Sequence, residues 1–326
     1  TDPLAWPGWP VATGRAQVGA ARQRAGHWSL DVPRAVAGVR LGNWAVTAGW
    51  APRRVGPGSG GALTLDQGGA TFPALTGRRT APFRWGGLMR FLAPHDLLLR
   101  AGPLSRREVL SNAVDGVRRT EQPPWFMAWL VGWRITSWCR FSATHATSAA
   151  SQEGTLWPDL LKINFPLVGT TVRERESDLV TDRIFALQLE ARWRDAPWPL
   201  LPAAAGRIWW EYGGTDYLPS GPGGVIPEIA APASIVGCAL LEPRWDLACE
   251  FTELRHETVL WYANGGFPEG YSHDGWLLAH TLGGSGQALA GTVRVRPAGL
   301  RLEAGVKLAA ATWKRAGAPW GEGRRT

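Results

Sequence analysis

Leu300-Arg301-Leu302-Glu303-Ala304-Gly305-Val306-Lys307-Leu308 is the stretch that decides the fold class. Leu300, Leu302, Ala304, Val306 and Leu308 recur at period two on one side, and Arg301, Glu303 and Lys307 fall on the other. Such alternation marks a strand with one apolar and one charged face. Val293-Arg294-Val295-Arg296 repeats the pattern just upstream, and Pro297-Ala298-Gly299 reads as a tight turn, so the segment is a β-hairpin. At about 3.3 Å per residue, nine residues span roughly 30 Å, the thickness of a bilayer core. Strands of this length and pattern build membrane β-barrels.

The pattern recurs upstream. Trp44, Val46, Ala48 and Trp50 share a face. Phe185, Leu187, Leu189, Ala191 and Trp193 lie opposite Gln188, Glu190, Arg192 and Arg194. Ile208, Trp210 and Tyr212 oppose Arg207 and Glu211, and Trp245, Leu247, Cys249 and Phe251 oppose Asp246, Glu250 and Thr252. Residues 84–92 and 96–102 read as a further strand pair around Ala93-Pro94-His95. Trp125, Trp129 and Trp133 fit one face of a helix, while Trp129, Val131, Trp133 and Ile135 fit one face of a strand, and periodicity does not separate the two. Residues 56–61, 213–224 and 264–270 are rich in Gly and Pro and read as loops, and 173–178 as a charged loop. A soluble β-sandwich also alternates. The barrel is favoured because the polar faces carry charges of both signs, as a wet lumen does, and because Trp193, Trp210, Tyr212, Trp245 and Trp313 sit at strand ends, as girdle aromatics do.

Composition agrees. The chain has 326 residues, 45% hydrophobic and 19% charged, with 41 Gly and 25 Pro, which suits many strands and turns rather than helices. The 20 Trp against two Met favour a membrane–water interface, where an indole is half buried with a wet N–H, although GC-rich codon usage also raises Trp. No uncharged apolar run is long enough for a transmembrane helix. The chain opens at Thr1-Asp2-Pro3 with no leader, and is read as processed or truncated. A net charge of +8, spread rather than clustered, favours an acidic polysaccharide or lipopolysaccharide phosphates as partner and argues against a nucleic-acid-binding arm. Cys139, Cys238 and Cys249 show no metal spacing, and a Cys238–Cys249 bridge is the one pairing to consider.

Catalytic motifs are not found. His256-Glu257 opens like a zinc-protease helix, but Leu260 stands where the second His must be. There is no Gly-x-Ser-x-Gly elbow and no phosphate loop; Gly56-Pro57-Gly58-Ser59-Gly60-Gly61 lacks Lys and reads as a turn. His273-Asp274 with His280 could form an acid–base cluster, though polar loop residues are the commoner case. With 27 carboxylates some pair suited to glycoside cleavage always exists.

Three segments in shared order resemble the capsule assembly protein Wzi family of outer-membrane barrels. The first is Trp44-Ala45-Val46-Thr47-Ala48-Gly49-Trp50, then Val55-Gly56-Pro57-Gly58, Gly61-Ala62-Leu63-Thr64-Leu65-Asp66 and Ala70-Thr71-Phe72-Pro73-Ala74-Leu75. The second is Trp209-Trp210-Glu211-Tyr212-Gly213-Gly214-Thr215-Asp216, and the third runs from Tyr271-Ser272-His273-Asp274-Gly275-Trp276 to Ser285-Gly286. Val55, Asp66-Gln67-Gly68-Gly69, Trp276, Ala279 and Ser285 depart from the family's preferred residues. The resemblance implies an all-β, antiparallel transmembrane β-barrel of about 18 strands. Roughly 14 strands are countable here, so the chain is expected to be a single barrel domain over 1–326 lacking N-terminal helices and strands. It further implies a monomeric, non-catalytic surface lectin in the outer membrane of a Gram-negative bacterium, without cofactor or metal. Such a protein contacts membrane lipid and lipopolysaccharide and holds acidic capsular or exported polysaccharide. The expected contacts are Arg53, Arg54, Arg78, Arg79, Trp125, Tyr217 and Tyr271, because guanidiniums pair with uronate carboxylates and aromatic rings stack on sugar faces. A sugar channel and a secreted β-rich carbohydrate-active enzyme are the competing expectations.

Overall fold

The computed structural model describes residues 35–51, 54–66, 71–79, 81–87, 93–104, 123–151, 179–194, 205–215, 218–220, 226–228, 231–254, 261–262, 271–273, 276–280, 282–283, 286–297, 304–314 and 322–323. Its strands are β1 (Ala35–Leu41), β2 (Trp44–Trp50), β3 (Pro73–Arg79), β4 (Asp96–Pro103), β5 (Trp125–Arg134), β6 (Cys139–Ser151), β7 (Leu179–Arg194), β8 (Ala205–Thr215), β9 (Leu218–Ser220), β10 (Ile226–Glu228), β11 (Ala231–Leu241), β12 (Trp245–Glu253), β13 (Ser272–His273), β14 (Trp276–Leu277), β15 (Gly286–Val295), β16 (Ala304–Lys314) and β17 (Glu322–Gly323). One 13-stranded sheet takes β1 to β8, then β11, β12, β15, β16 and β17, in chain order. The described ladders are antiparallel, and each strand of this sheet lies beside the sheet's next strand in chain order, the meander from which up-and-down barrels are made. β9–β10 and β13–β14 are small separate hairpins. Among the described residues no helix is long and apolar enough to cross a membrane.

Register turns the alternation into two continuous surfaces. Trp133, Phe141, Leu189, Trp210, Val236, Phe251 and Leu289 are successive cross-strand partners over β5, β6, β7, β8, β11, β12 and β15. They form an apolar band on the outward face, flanked by exposed Ile208, Leu247 and Val293. The inward side of the same strands carries Ser142, Gln188, Glu211, Ile235 and Thr252 in one row, and Arg140, Glu190, Trp209, Gly237 and Glu250 in the next. A one-residue slip would exchange the two sets, so burial on one face fixes the register.

Several expectations change. The decisive hairpin exists, but its second strand is Ala304–Lys314, with Val306 opposite Val293 and Leu308 opposite Gly291; residues 298–303 lie outside the described residues. Val306 and Leu308 face outward at 62% and 72% exposure. Trp125, Trp129 and Trp133 belong to a strand, because β4 and β6 pair with both edges of that segment. Residues 82–86 form no strand; β4 pairs instead with β3 and β5. Gly213 to Thr215 complete β8, and β9, paired with β10 just beyond, occupies part of the stretch expected to be a loop. Residues 173–178 and 264–270 lie outside the described residues.

The inward charges do not line an open wet channel. Glu211, Glu250 and Gln188 are buried, because connections fold back against them. One is residues 54–66, between β2 and β3. The other includes Trp261, Tyr262, Tyr271 and residues 276–280, between β12 and β15. The main apolar core therefore lies inside the sheet's curve, around Leu63, Leu65, Phe72, Phe126, Ile235, Leu254, Tyr262 and Tyr271.

Candidate functional site

The inner layer is seated by Glu250 on β12. Its Oε2 accepts the Ser59 N–H at 2.5 Å, the Ser59 hydroxyl at 3.1 Å and the Trp209 indole N–H at 2.8 Å, while Oε1 accepts the Gly60 N–H at 2.7 Å. Gly237, between Trp209 and Glu250 in the row, makes the indole bond feasible: a Cβ there would lie 2.3 Å from the Trp209 ring. Glu211 is fully buried beneath the same segment and accepts from Gln188 Nε2 at 3.1 Å; Gln188 also donates to Val55 O. Arg54 closes the segment on itself, donating to Asp66 at 2.7 Å and to Gly58 O at 2.6 Å. The second connection clamps the first. The Tyr262 hydroxyl donates to Leu63 O, that of Tyr271 to Thr64 O, and the Asp66 N–H to Leu278 O. Burial pushes both phenols well above their ordinary range. His280 packs on Gly61 so closely that a Cβ would lie 2.4 Å from its ring. Its Nδ1 accepts the Leu282 N–H, so Nε2 carries the proton towards Thr252 Oγ1 at 3.3 Å.

Beyond this filled region the lumen holds a cavity of about 200 Å³. Arg78, Arg140, Arg192 and Arg207 line it, with Arg54 at its inner end. Asp96 takes both Arg140, at 2.9 Å, and Arg78, at 3.4 Å. Glu190 takes both Arg192, at 2.9 Å, and Arg207, at 3.3 Å. Among the described residues, two carboxylates thus meet four guanidiniums. Leu98, Leu130, Val55 and Pro57 supply apolar wall. Arg78 and Arg192 stand near the ends of β3 and β7, and Asp96, Arg140 and Arg207 near the starts of β4, β6 and β8. The cavity therefore sits at the end of the sheet where turns 42–43, 135–138 and 242–244 make the shortest connections; the opposite end carries 51–72, 104–124, 152–178 and 254–285. Among the described residues no cluster of His, Cys, Asp and Glu is placed to hold a metal.

The seven expected contact residues do not converge. Arg54 and Arg78 line the cavity. Arg79 stacks on Phe83, 3.9 Å from the ring centre, in an adjoining groove with Asn43 and Trp85. Trp125 begins β5 on its outward face, at the long-connection end. Tyr271 is fully buried and holds the inner layer. Arg53 and Tyr217 lie outside the described residues. Arg140, Arg192 and Arg207 were not singled out from sequence. Strand alternation alone places Arg192 beside Glu190 on one face of β7, whereas only the β7–β8 register brings Arg207 to them.

No family model and no curated protein sequence matches the chain. Among solved structures it is similar to Wzi of Escherichia coli, described as an outer membrane protein involved in group 1 capsule assembly and as a carbohydrate-binding β-barrel. The TM-score is 0.63 at 16% identity, covering 86% of this chain and 56% of that one, so the chain spans just over half the length of that protein. At that identity the likeness establishes the architecture: this chain has the all-β, antiparallel fold of the Wzi barrel.

Proposed function

We propose that the protein is an outer-membrane barrel that binds acidic polysaccharide without cleaving it and helps to hold capsular or exported polysaccharide at the surface of a Gram-negative cell. The observation that carries this reading is the Wzi fold itself; the arginine-lined cavity, at the short-turn end of the lumen, adds a site for an acidic group. Guanidiniums in excess of carboxylates recognise uronate-type anions through charge-assisted, often bidentate hydrogen bonds. The continuous outward apolar band from Trp133 to Leu289 supports lipid contact. In outer-membrane barrels short turns face the periplasm and long loops face outward. On that rule the long connections, with Trp125 beside them, form the cell-surface end. Arg54 and Arg78 line the lumen towards the opposite end, Arg79 lies in the groove beside Phe83, and Tyr271 holds the inner layer.

The test is a deletion strain of the host complemented with the full-length protein. The protein should fractionate with outer membranes. Loss of the gene should release polysaccharide into the medium, and purified protein should retain acidic but not neutral polysaccharide in a pull-down. Recovery in the soluble pool, or release of new reducing ends from the polysaccharide, would overturn the reading.

A further inference from the structure

We propose that the arginine cavity is a receptor for one acidic sugar residue, a hexuronate-like pyranose whose carboxylate sits between the Asp96 and Glu190 clusters. This deepens the polysaccharide reading above and rests on it.

Four observations converge. The first is charge. Arg78 and Arg140 share Asp96, and Arg192 and Arg207 share Glu190, so among the described residues the two clusters bring four cations and two anions around one space. A guanidinium has five N–H donors, and an entering carboxylate offers about four lone-pair sites. The second is rigidity. Arg207 is buried and packs its guanidinium over the Trp209 ring at 4.2 Å, while Trp209 is itself tied to Glu250. The Arg207 donors are therefore set before a ligand arrives, which lowers the cost of binding. The third is the wall. Leu98, Leu130, Val55 and Pro57 face the same space, which suits the C–H face of a pyranose and gives nothing to a bare inorganic anion. The fourth is size. Pockets for drug-sized ligands run to about 300–1,000 Å³, so about 200 Å³ admits a single sugar unit rather than an oligosaccharide. The inner segment around Gly56 and the core around Leu63 and Phe126 stand towards the long-connection end.

The experiment is calorimetric titration of the detergent-solubilised full chain with sodium glucuronate, glucose and inorganic phosphate at fixed ionic strength. Glucuronate should bind at least about 10-fold more tightly than glucose or phosphate. Arg140→Gln and Arg192→Gln should each weaken glucuronate by about 10- to 100-fold, the worth of a charge-assisted hydrogen bond to a carboxylate. Arg244→Gln removes one positive charge from the turn between β11 and β12, outside the cavity, and should leave binding unchanged. Mobility of the unheated proteins on gels confirms that each variant is folded. The proposal is overturned if glucuronate does not bind, if phosphate binds as tightly, or if Arg244→Gln weakens it as much as the cavity variants do. Retention of acidic polysaccharide by a protein that ignores free glucuronate overturns the cavity and leaves the surface-binding role standing. Failure of the wild-type protein to retain acidic polysaccharide overturns the role itself.

Discussion

Glu250 is the residue on which the interior turns. One buried carboxylate receives two backbone N–H groups, a hydroxyl and an indole N–H, each from a different group of the inner layer or its neighbour strand. Glu250→Gln leaves one acceptor oxygen and points an amide donor at groups that are themselves donors. Buried donors left unmet cost about 1–3 kcal/mol each, so a loss of about 2–4 kcal/mol is expected. It would be read as a lower temperature for conversion from the compact to the unfolded band in heated gel samples. A variant as heat-resistant as the wild type would show that the seat lies elsewhere. His280 adds a pH dependence. Burial lowers its imidazole below the ordinary value of 6.5; Glu250 and Asp66 pull it back up, and Arg54 pushes it further down. Below about pH 6.5 the unfolded chain takes up a proton that the buried ring resists, so the stability is fully present above that pH and is lost as pH falls through it towards the lowered folded value. The same heated-gel midpoint, taken relative to that of His280→Gln, should therefore drop between pH 7.5 and pH 5. His280→Gln, which has no proton to gain there, should flatten that step.

At the scale of strands, β11 and β12 offer a direct test of the register. Cys238 and Cys249 are cross-strand partners on the outward face, and both are free thiols. Directly opposed residues in an antiparallel pair have Cα atoms about 4.5–5.5 Å apart, inside the range a disulfide accepts. A mild thiol oxidant such as diamide should remove two of the three titratable thiols together and leave Cys139. Loss of one thiol, or of none, would show a shifted register. Much of this outer surface was legible in the sequence, because a period of two places a face without knowledge of any partner. Phe185 to Trp193 and Trp245 to Phe251 read correctly for that reason. The start of β16 at Ala304 and the absence of strand over residues 82–86 were not legible, since Gly and Pro punctuation marks where a strand can stop, not what pairs with it. The Gly56 to Gly61 run read as a turn, and it is one. Its destination was hidden because the bonds that decide it, from Ser59 and Gly60 to Glu250, join residues 191 and 190 positions apart. Arg140 and Asp96 illustrate the same limit: each is an ordinary strand-end charge until β4, β5 and β6 are aligned.

The whole molecule is a sheet curled around its own connections. A wide barrel with charged inward faces is ordinarily a water-filled pore, and the sequence alone leaves that competing expectation open. The described structure departs from it in one respect: residues 54–66 and the segments around Tyr262, Tyr271 and His280 occupy the lumen, and the charges that would line a channel become their hydrogen-bond partners. Ions crossing the lumen would have to pass the buried core around Leu63, Phe72, Phe126 and Tyr271. The wild-type protein in a planar lipid bilayer should therefore show no stable conductance steps. Replacing residues 56–61 by a two-residue linker removes Ser59 and Gly60 from Glu250 and should create steps, because the buried Glu211, Glu250 and Gln188 would then meet water. Steps in the wild-type protein of the same size as in the shortened one would mean that the inner segment is not seated in the membrane, and the arginine cavity would then be part of an open passage rather than a closed receptor.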